Sequence, residues 1–144
     1  MKLVDANVLL YAVNEDAPLH DEARDWLDRS LSGTEAVAFA LIVVLAFLRL
    51  STRADLFRRP LEFDEAADVL AHWLSAAPAV SPQPTARHLE LLRGLVRTTG
   101  SAANLVNDAH LAALALEHDA TVVSYDRDFS RFTGVRHELP GQTA

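Results

Sequence analysis

Residues 104–132 read NLVNDAHLAALALEHDATVVSYDRDFSRF. Leu105, Ala109, Ala112, Ala113 and Leu116 recur at helical spacing, which predicts an amphipathic helix over residues 105–117 with Asp108 in its first turn. A carboxylate suits that end, where aligned peptide dipoles leave a partial positive charge worth roughly 0.3 to 1 kcal/mol to an anion, and Ser101 or Asn104 is positioned to cap it. After a break at His118-Asp119, residues 121–125 form a short β-branched and aromatic run that reads as a buried strand. Asp126 and Asp128 follow at once. In a sheet crossed by helices, ligands bind in the crevice beyond the carboxyl ends of the strands, and Asp126 stands at such an end.

The first residues repeat the pattern. Lys2, Leu3 and Val4 form a second short apolar strand, and Asp5 terminates it. If the two strands are parallel neighbours in one sheet, Asp5, Asp126 and Asp128 gather on one edge, where the start of the Asp108 helix joins them. Like charges within about 4 to 6 Å resist ionising together, so such a cluster calls for a proton or a cation among them. With several hard oxygens and no cysteine in the chain, the fitting cation is Mg²⁺ or Mn²⁺.

Composition narrows the class. A chain of 144 residues at 50% hydrophobic is one ordinary domain, long enough to bury a core, and a charged fraction of 23% with only 5 Gly and 6 Pro argues against disorder. The absence of cysteine excludes a disulfide framework and a thiolate metal site. Met1-Lys2 runs straight into the first strand, which leaves no room for a signal peptide, and the longest apolar run, residues 36–48, is too short to span a bilayer. The expectation is a cytoplasmic protein with no membrane association.

Along the rest of the chain, residues 8–13 continue apolar into a short helix, with Asn7 turned towards the acidic edge. Residues 15–28 carry six acids against Arg24 alone, with Leu19, Ala23, Trp26 and Leu27 as a buried stripe. Residues 36–40 are a candidate strand and 41–52 a candidate helix, followed by Arg49, Arg53, Arg58 and Arg59, the most basic part of a chain of net charge −7 and a candidate contact for RNA or a partner. Asp64 is the expected N-cap of a helix burying Ala67, Leu70, Ala71 and Leu74. Residues 79–81 suggest a third strand, and Thr85 the cap of a helix through Leu89, Leu92 and Val96 that exposes Arg87, Arg93 and Arg97. Residues 135–139 complete the sheet as an edge strand. None of the six histidines has metal-ligand spacing, and His110 points about 200° round its helix from Asp108, so they receive no catalytic role. Ser124, one residue before Asp126, faces the opposite side of a continuous strand unless the chain turns there; it is a candidate supporting residue, as is Asn7.

Three segments, Asp5-Ala6-Asn7-Val8-Leu9-Leu10-Tyr11, Asn107-Asp108-Ala109 and Val123-Ser124-Tyr125-Asp126-Arg127-Asp128-Phe129, resemble in order and spacing a PIN-domain ribonuclease, and within that family a VapC toxin of a toxin–antitoxin pair. The resemblance implies a single α/β PIN-like domain over residues 1–140, with a central, mostly parallel sheet of about four to five short strands flanked by helices, and a frayed tail at 141–144. It further implies a metal-dependent endoribonuclease using Mg²⁺, or Mn²⁺ in its place, with Asp5, Asp108 and Asp126 as ligands and Asp128 coordinating or tuning the ion through water. The same likeness implies a structured RNA substrate, tRNA or rRNA, products with a 5′-phosphate and a 3′-hydroxyl, a cognate VapB-like antitoxin and a toxin homodimer. One position departs from the pattern: many relatives carry a glutamate just before Phe47-Leu48-Arg49, where this chain has Ala46, and no other acid lies between Ala36 and Ala54. That departure keeps a second reading open, a non-catalytic PIN-like module that binds RNA or protein. A phosphoacceptor receiver domain needs a lysine beside its phosphoryl group, and the only lysine is Lys2.

Overall fold

A computed structural model describes residues 1–100 and 105–142. Within them the elements run in chain order as β1 (Lys2–Val4), α1 (Ala6–Val13), α2 (His20–Leu31), β2 (Val37–Ala38), α3 (Leu41–Ser51), α4 (Phe63–Leu74), β3 (Ala79–Val80), α5 (His88–Thr99), α6 (Val106–Glu117), β4 (Thr121–Val123) and β5 (Arg136–Glu138), with 3₁₀ turns at Arg127–Arg131 and Pro140–Gln142. The five strands form one sheet in the order β3-β2-β1-β4-β5, parallel throughout. That is the upper end of the expected strand count. Helices cross between the strands and cover the sheet, which explains why Leu3 and Val4 of β1 and Val122 and Val123 of β4 are consecutive apolar residues buried on both faces.

The strand order fixes where a site belongs. From β1 the chain steps one way to β2 and β3, then returns to lay β4 and β5 on the other side. The sequence order therefore reverses between β1 and β4, and a crevice opens beyond the carboxyl ends of that strand pair. Val4 lies level with Val123, so Asp5 and Ser124 leave the sheet side by side.

Most expected elements form, with differences at their ends. The α6 helix begins at Val106 with Leu105 in the capping position and no side-chain cap; Ser101 and Asn104, the expected caps, lie outside the described residues. Instead of one apolar stripe, α6 buries Ala109, Leu111, Ala112, Ala113, Leu114 and Ala115, because it runs through the interior between α5 and β4. Small alanine side chains let its neighbours approach from several directions. The α4 helix is capped by Glu62, not Asp64: the Glu62 side chain accepts from the third helical residue while Glu65 accepts from the Glu62 backbone. That start rotates the buried stripe to Ala66, Leu70 and Trp73, leaving Leu74 exposed. Trp73 meets Phe47 of α3 edge-to-face at 5.3 Å.

Thr85 does not cap α5, whose first residue is His88. Its hydroxyl donates instead to Glu117 at the end of α6. Glu117 also bonds His88 Nδ1 at 2.7 Å, and His88 Nε2 meets His110 Nδ1 at 2.8 Å, so a polar chain ties α5 to α6 on the far side from Asp108. The α5 helix buries Leu95 and exposes Leu89, with Arg87, Arg93 and Arg97 exposed as expected. Gly141 and Gln142, expected in a frayed tail, take part in the Pro140–Gln142 turn packed against α2. Among the described residues no helix is long and apolar enough to cross a membrane.

Candidate active site

Asp5 follows β1 directly and is the N-cap of α1. Its Oδ1 accepts from the Ala6 amide at 2.7 Å, the bond that starts the helix. Its Oδ2 accepts from the Ser124 hydroxyl at 2.7 Å and from Asn7 Nδ2 at 3.2 Å. Ser124 is fully buried because β4 stops at Val123 and the chain turns there, so the residue faces Asp5 instead of the opposite side of a longer strand. Having donated its single proton to Asp5, the Ser124 oxygen accepts from Asn7 Nδ2 at 3.0 Å and from the Asp126 amide at 3.0 Å. Asn7 completes the ring through its Oδ1, which accepts from the Tyr125 amide at 3.1 Å. The supporting residues Asn7 and Ser124 thus splice the two strand ends and fix the Asp5 carboxylate.

Asp126 caps the 3₁₀ turn Arg127–Arg131, its Oδ1 accepting from the Asp128 amide at 2.9 Å. Asp128 is exposed at the rim, 3.5 Å from Arg131. Asp108 enters from the first turn of α6. With Asp5, Asn107 and Leu111 it lines a cleft of about 190 Å³ whose opposite wall is α3: Ile42, Val43, Leu45, Ala46 and Arg49. Ala46 therefore occupies the cleft wall facing two of the carboxylates, so the missing glutamate is missing from the site itself. Of the four candidate contact arginines, Arg49 alone lines this cleft; Arg53 is paired with Asp55, Nε to Oδ1 at 3.0 Å, and Arg58 and Arg59 are exposed in the following loop.

Charge and burial mark the same place. Burial pushes the Asp5 carboxyl up from its ordinary value, against the hydrogen bonds from Ser124 and Ala6, and Asp126 pushes it further. Asp108 is raised to about 6, first by burial and then by Asp5, Asp126 and Asp128, with Arg131 opposing. Three carboxylates thus act on Asp108, and one of them, Asp126, also acts on Asp5. Their donors are all oxygen, and their mutual repulsion is what a hard divalent cation relieves, so the donor chemistry fits Mg²⁺ or Mn²⁺. As placed, Asp5 and Asp108 line the cleft while Asp126 and Asp128 act from outside its lining, and among the described residues no group of three or more His, Cys, Asp or Glu side chains stands in position to hold an ion.

One neighbour escaped the sequence reading. His137 of β5 sets Nε2 2.9 Å from the Ser124 carbonyl oxygen and lowers the carboxyl value of Asp5. Its ring packs 5.9 Å from that of Phe129. The usable signal was register: a parallel edge strand beside β4 brings His137 level with Val122.

The model of the PIN domain family matches residues 2–135. Ribonuclease VapC37 of Mycobacterium tuberculosis is 54% identical over 97% of each chain. Two solved structures share the fold at lower identity. VapBC2 from Rickettsia felis, bound to a DNA fragment from its promoter, superposes with a TM-score of 0.69 at 18% identity over 96% of this chain and 97% of that one. Mycobacterium tuberculosis VapC20, a sarcin-ricin loop cleaving toxin, gives 0.66 at 22% over 94% and 99%. The chain belongs to the PIN-domain family and, within it, to the VapC ribonucleases.

Proposed function

We propose that this protein is a metal-dependent endoribonuclease acting as the toxin of a VapBC-type pair, cutting a structured RNA of the tRNA or rRNA class. The observation that supports the reading best is the coupling of Asp108 to Asp5 and Asp126, which raise its carboxyl value, beside the reversal of strand order between β1 and β4. Kinship to a chain named ribonuclease supports the same activity.

In this reading Asp5, Asp108 and Asp126 would hold Mg²⁺ or Mn²⁺, which when bound supplies a water of lowered pKa and positive charge beside the phosphoryl oxygens. The chain's own residues do the rest. Ser124, Asn7 and the Ala6 amide fix both oxygens of Asp5, so one ligand is held before the others close in. Asp126 or Asp128 accepts the proton of the attacking water, and Asp128 at the open rim has the freer access to solvent. Arg49 on the α3 wall takes a phosphate oxygen of the strand. An acidic chain of net charge −7 does not grip RNA indiscriminately, which favours recognition of an exposed loop by shape. A VapB-like antitoxin and a toxin homodimer complete the proposal; the first is supported by the likeness to VapBC2.

Ala46 and the open arrangement of the acids favour a second reading, a PIN-like module that binds RNA or a protein without cutting it. One experiment separates the two. Purified, antitoxin-free protein is incubated with total cellular RNA and Mg²⁺, Mn²⁺ or EDTA, beside Asp108→Asn prepared identically. Discrete, EDTA-sensitive fragments from the wild type alone establish the ribonuclease and identify its RNA class. Identical behaviour of the two proteins favours the binding module.

A further inference from the structure

Tyr125 and Arg127 flank Asp126 on either side, and both line a second depression of about 500 Å³ formed with Tyr11, Leu19, Glu22, Leu139, Gly141 and Gln142. It begins one residue from the carboxylates, and its volume lies within the roughly 300 to 1,000 Å³ usual for ligand sites. The Tyr125 ring is held edge-to-face by Tyr11 at 5.3 Å and 61°, and its hydroxyl donates to Glu22 Oε1 at 2.9 Å. Glu22 is exposed, and its Oε2 accepts no hydrogen bond from the described residues. Gly141 sits against this carboxylate so closely that a Cβ there would overlap it. Arg127 pairs with no acid among the described residues.

We infer that this depression is a guanine pocket, which receives an unstacked base of the RNA next to the scissile phosphate. The inference rests on the ribonuclease reading. Single-stranded RNA is read by stacking splayed bases on aromatic rings and bonding their Watson–Crick edges, and Tyr125 supplies the ring. The carboxylate selects the base. Guanine presents two adjacent donors, N1–H and the 2-amino group, which match the two oxygens of Glu22. Adenine and cytosine present one amino donor beside a ring nitrogen that a carboxylate repels, and uracil one N–H between two carbonyls. Arg127 takes the phosphate of the same nucleotide.

The deciding measurement needs no catalysis. The protein in EDTA is titrated with 5′-GMP, 5′-IMP, 5′-AMP and 5′-CMP while the backbone amide resonances of Gly141 and Tyr125 are followed. We expect 5′-GMP to bind tightest, 5′-IMP, which lacks the 2-amino group, to bind roughly tenfold more weakly, and Glu22→Gln to erase the difference. Gly141→Ala, which pushes only the flexible end of Glu22, weakens 5′-GMP most and 5′-IMP less, and leaves 5′-AMP and 5′-CMP unchanged. Equal shifts by all four nucleotides, or unchanged preference in Glu22→Gln, overturn the inference and leave Tyr125–Glu22 as a latch between α2 and the β4 loop. Cleavage of total RNA adds an independent result: wild-type cuts map beside guanine, and those of Glu22→Gln lose that bias. Absence of EDTA-sensitive cutting sinks the ribonuclease reading, while the nucleotide titration still decides the pocket.

Discussion

At the scale of single residues, Ser124 has more depending on it than any acid. One buried hydroxyl donates to Asp5 and accepts from both Asn7 and the Asp126 amide, so Ser124→Ala removes three hydrogen bonds at once and leaves the Asp126 amide without its partner. The expected cost is about 1 to 3 kcal/mol in urea unfolding, with loss of cleavage although Ser124 touches no substrate in the proposed mechanism. A variant as stable as the wild type would show that water replaces the hydroxyl without penalty. The nearness of Asp5, Asp108 and Asp126 was legible in the sequence because Asp5 and Asp126 follow apolar runs and Asp108 stands in a first helical turn. The hydroxyl's direction was not, since it depends on β4 ending at Val123, two residues before the β-branched and aromatic pattern runs out at Tyr125. His137 was hidden for a related reason: its place beside Ser124 comes from pairing between strands, and nothing within its own strand signals it.

At the scale of elements, α3 decides how much charge the cleft holds. Ala46 and Arg49 stand on the same wall, opposite Asp5 and Asp108. Restoring an acid by Ala46→Glu adds like charge to a crowded cleft, so in EDTA above pH 6 the variant should melt below the wild type. Mn²⁺ should then raise its melting temperature by more than it raises that of the wild type. Equal Mn²⁺ shifts in the two proteins would mean that position 46 does not reach the ion. The helices were readable because apolar spacing survives small errors at their ends, as with α3 and α6. Errors arose where capping and burial compete: Glu62 with Glu65 outbid Asp64 for the start of α4, and Thr85 was drawn to Glu117. A central helix such as α6, buried on several faces, also defeats a search for one stripe.

At the scale of the whole molecule, burial of Asp108, reinforced by repulsion from Asp5, Asp126 and Asp128, links ionisation to folding. The folded chain holds the Asp108 proton more tightly than the unfolded chain, about 6 against 3.8. This contribution to stability is complete below about pH 4 and is lost as pH rises through about 6. In EDTA the stability difference between wild type and Asp108→Asn should therefore shift against the wild type across that window and level off above it. Chemical denaturation at half-unit pH steps checks the sign; a difference independent of pH would show that Asp108 titrates normally. The parallel sheet was legible as a class, since apolar strands alternate with helices. The strands β2 and β3, two residues each, fall inside the expected spans 36–40 and 79–81, but the order of the five in the sheet comes from pairing between strands and is not written in any one of them.

The Asp5–Ser124 bond spans 119 residues, and this separation bears on synthesis. A ribosome delivers the first carboxylate almost at once and its clamp only after nearly all of the chain has been made, so every shorter nascent chain carries an unassembled site. Chains that end before residue 121 lack β4 altogether. The two sides of the cleft therefore meet only once the last strands have emerged, which makes assembly of the site one of the final events of the chain's synthesis.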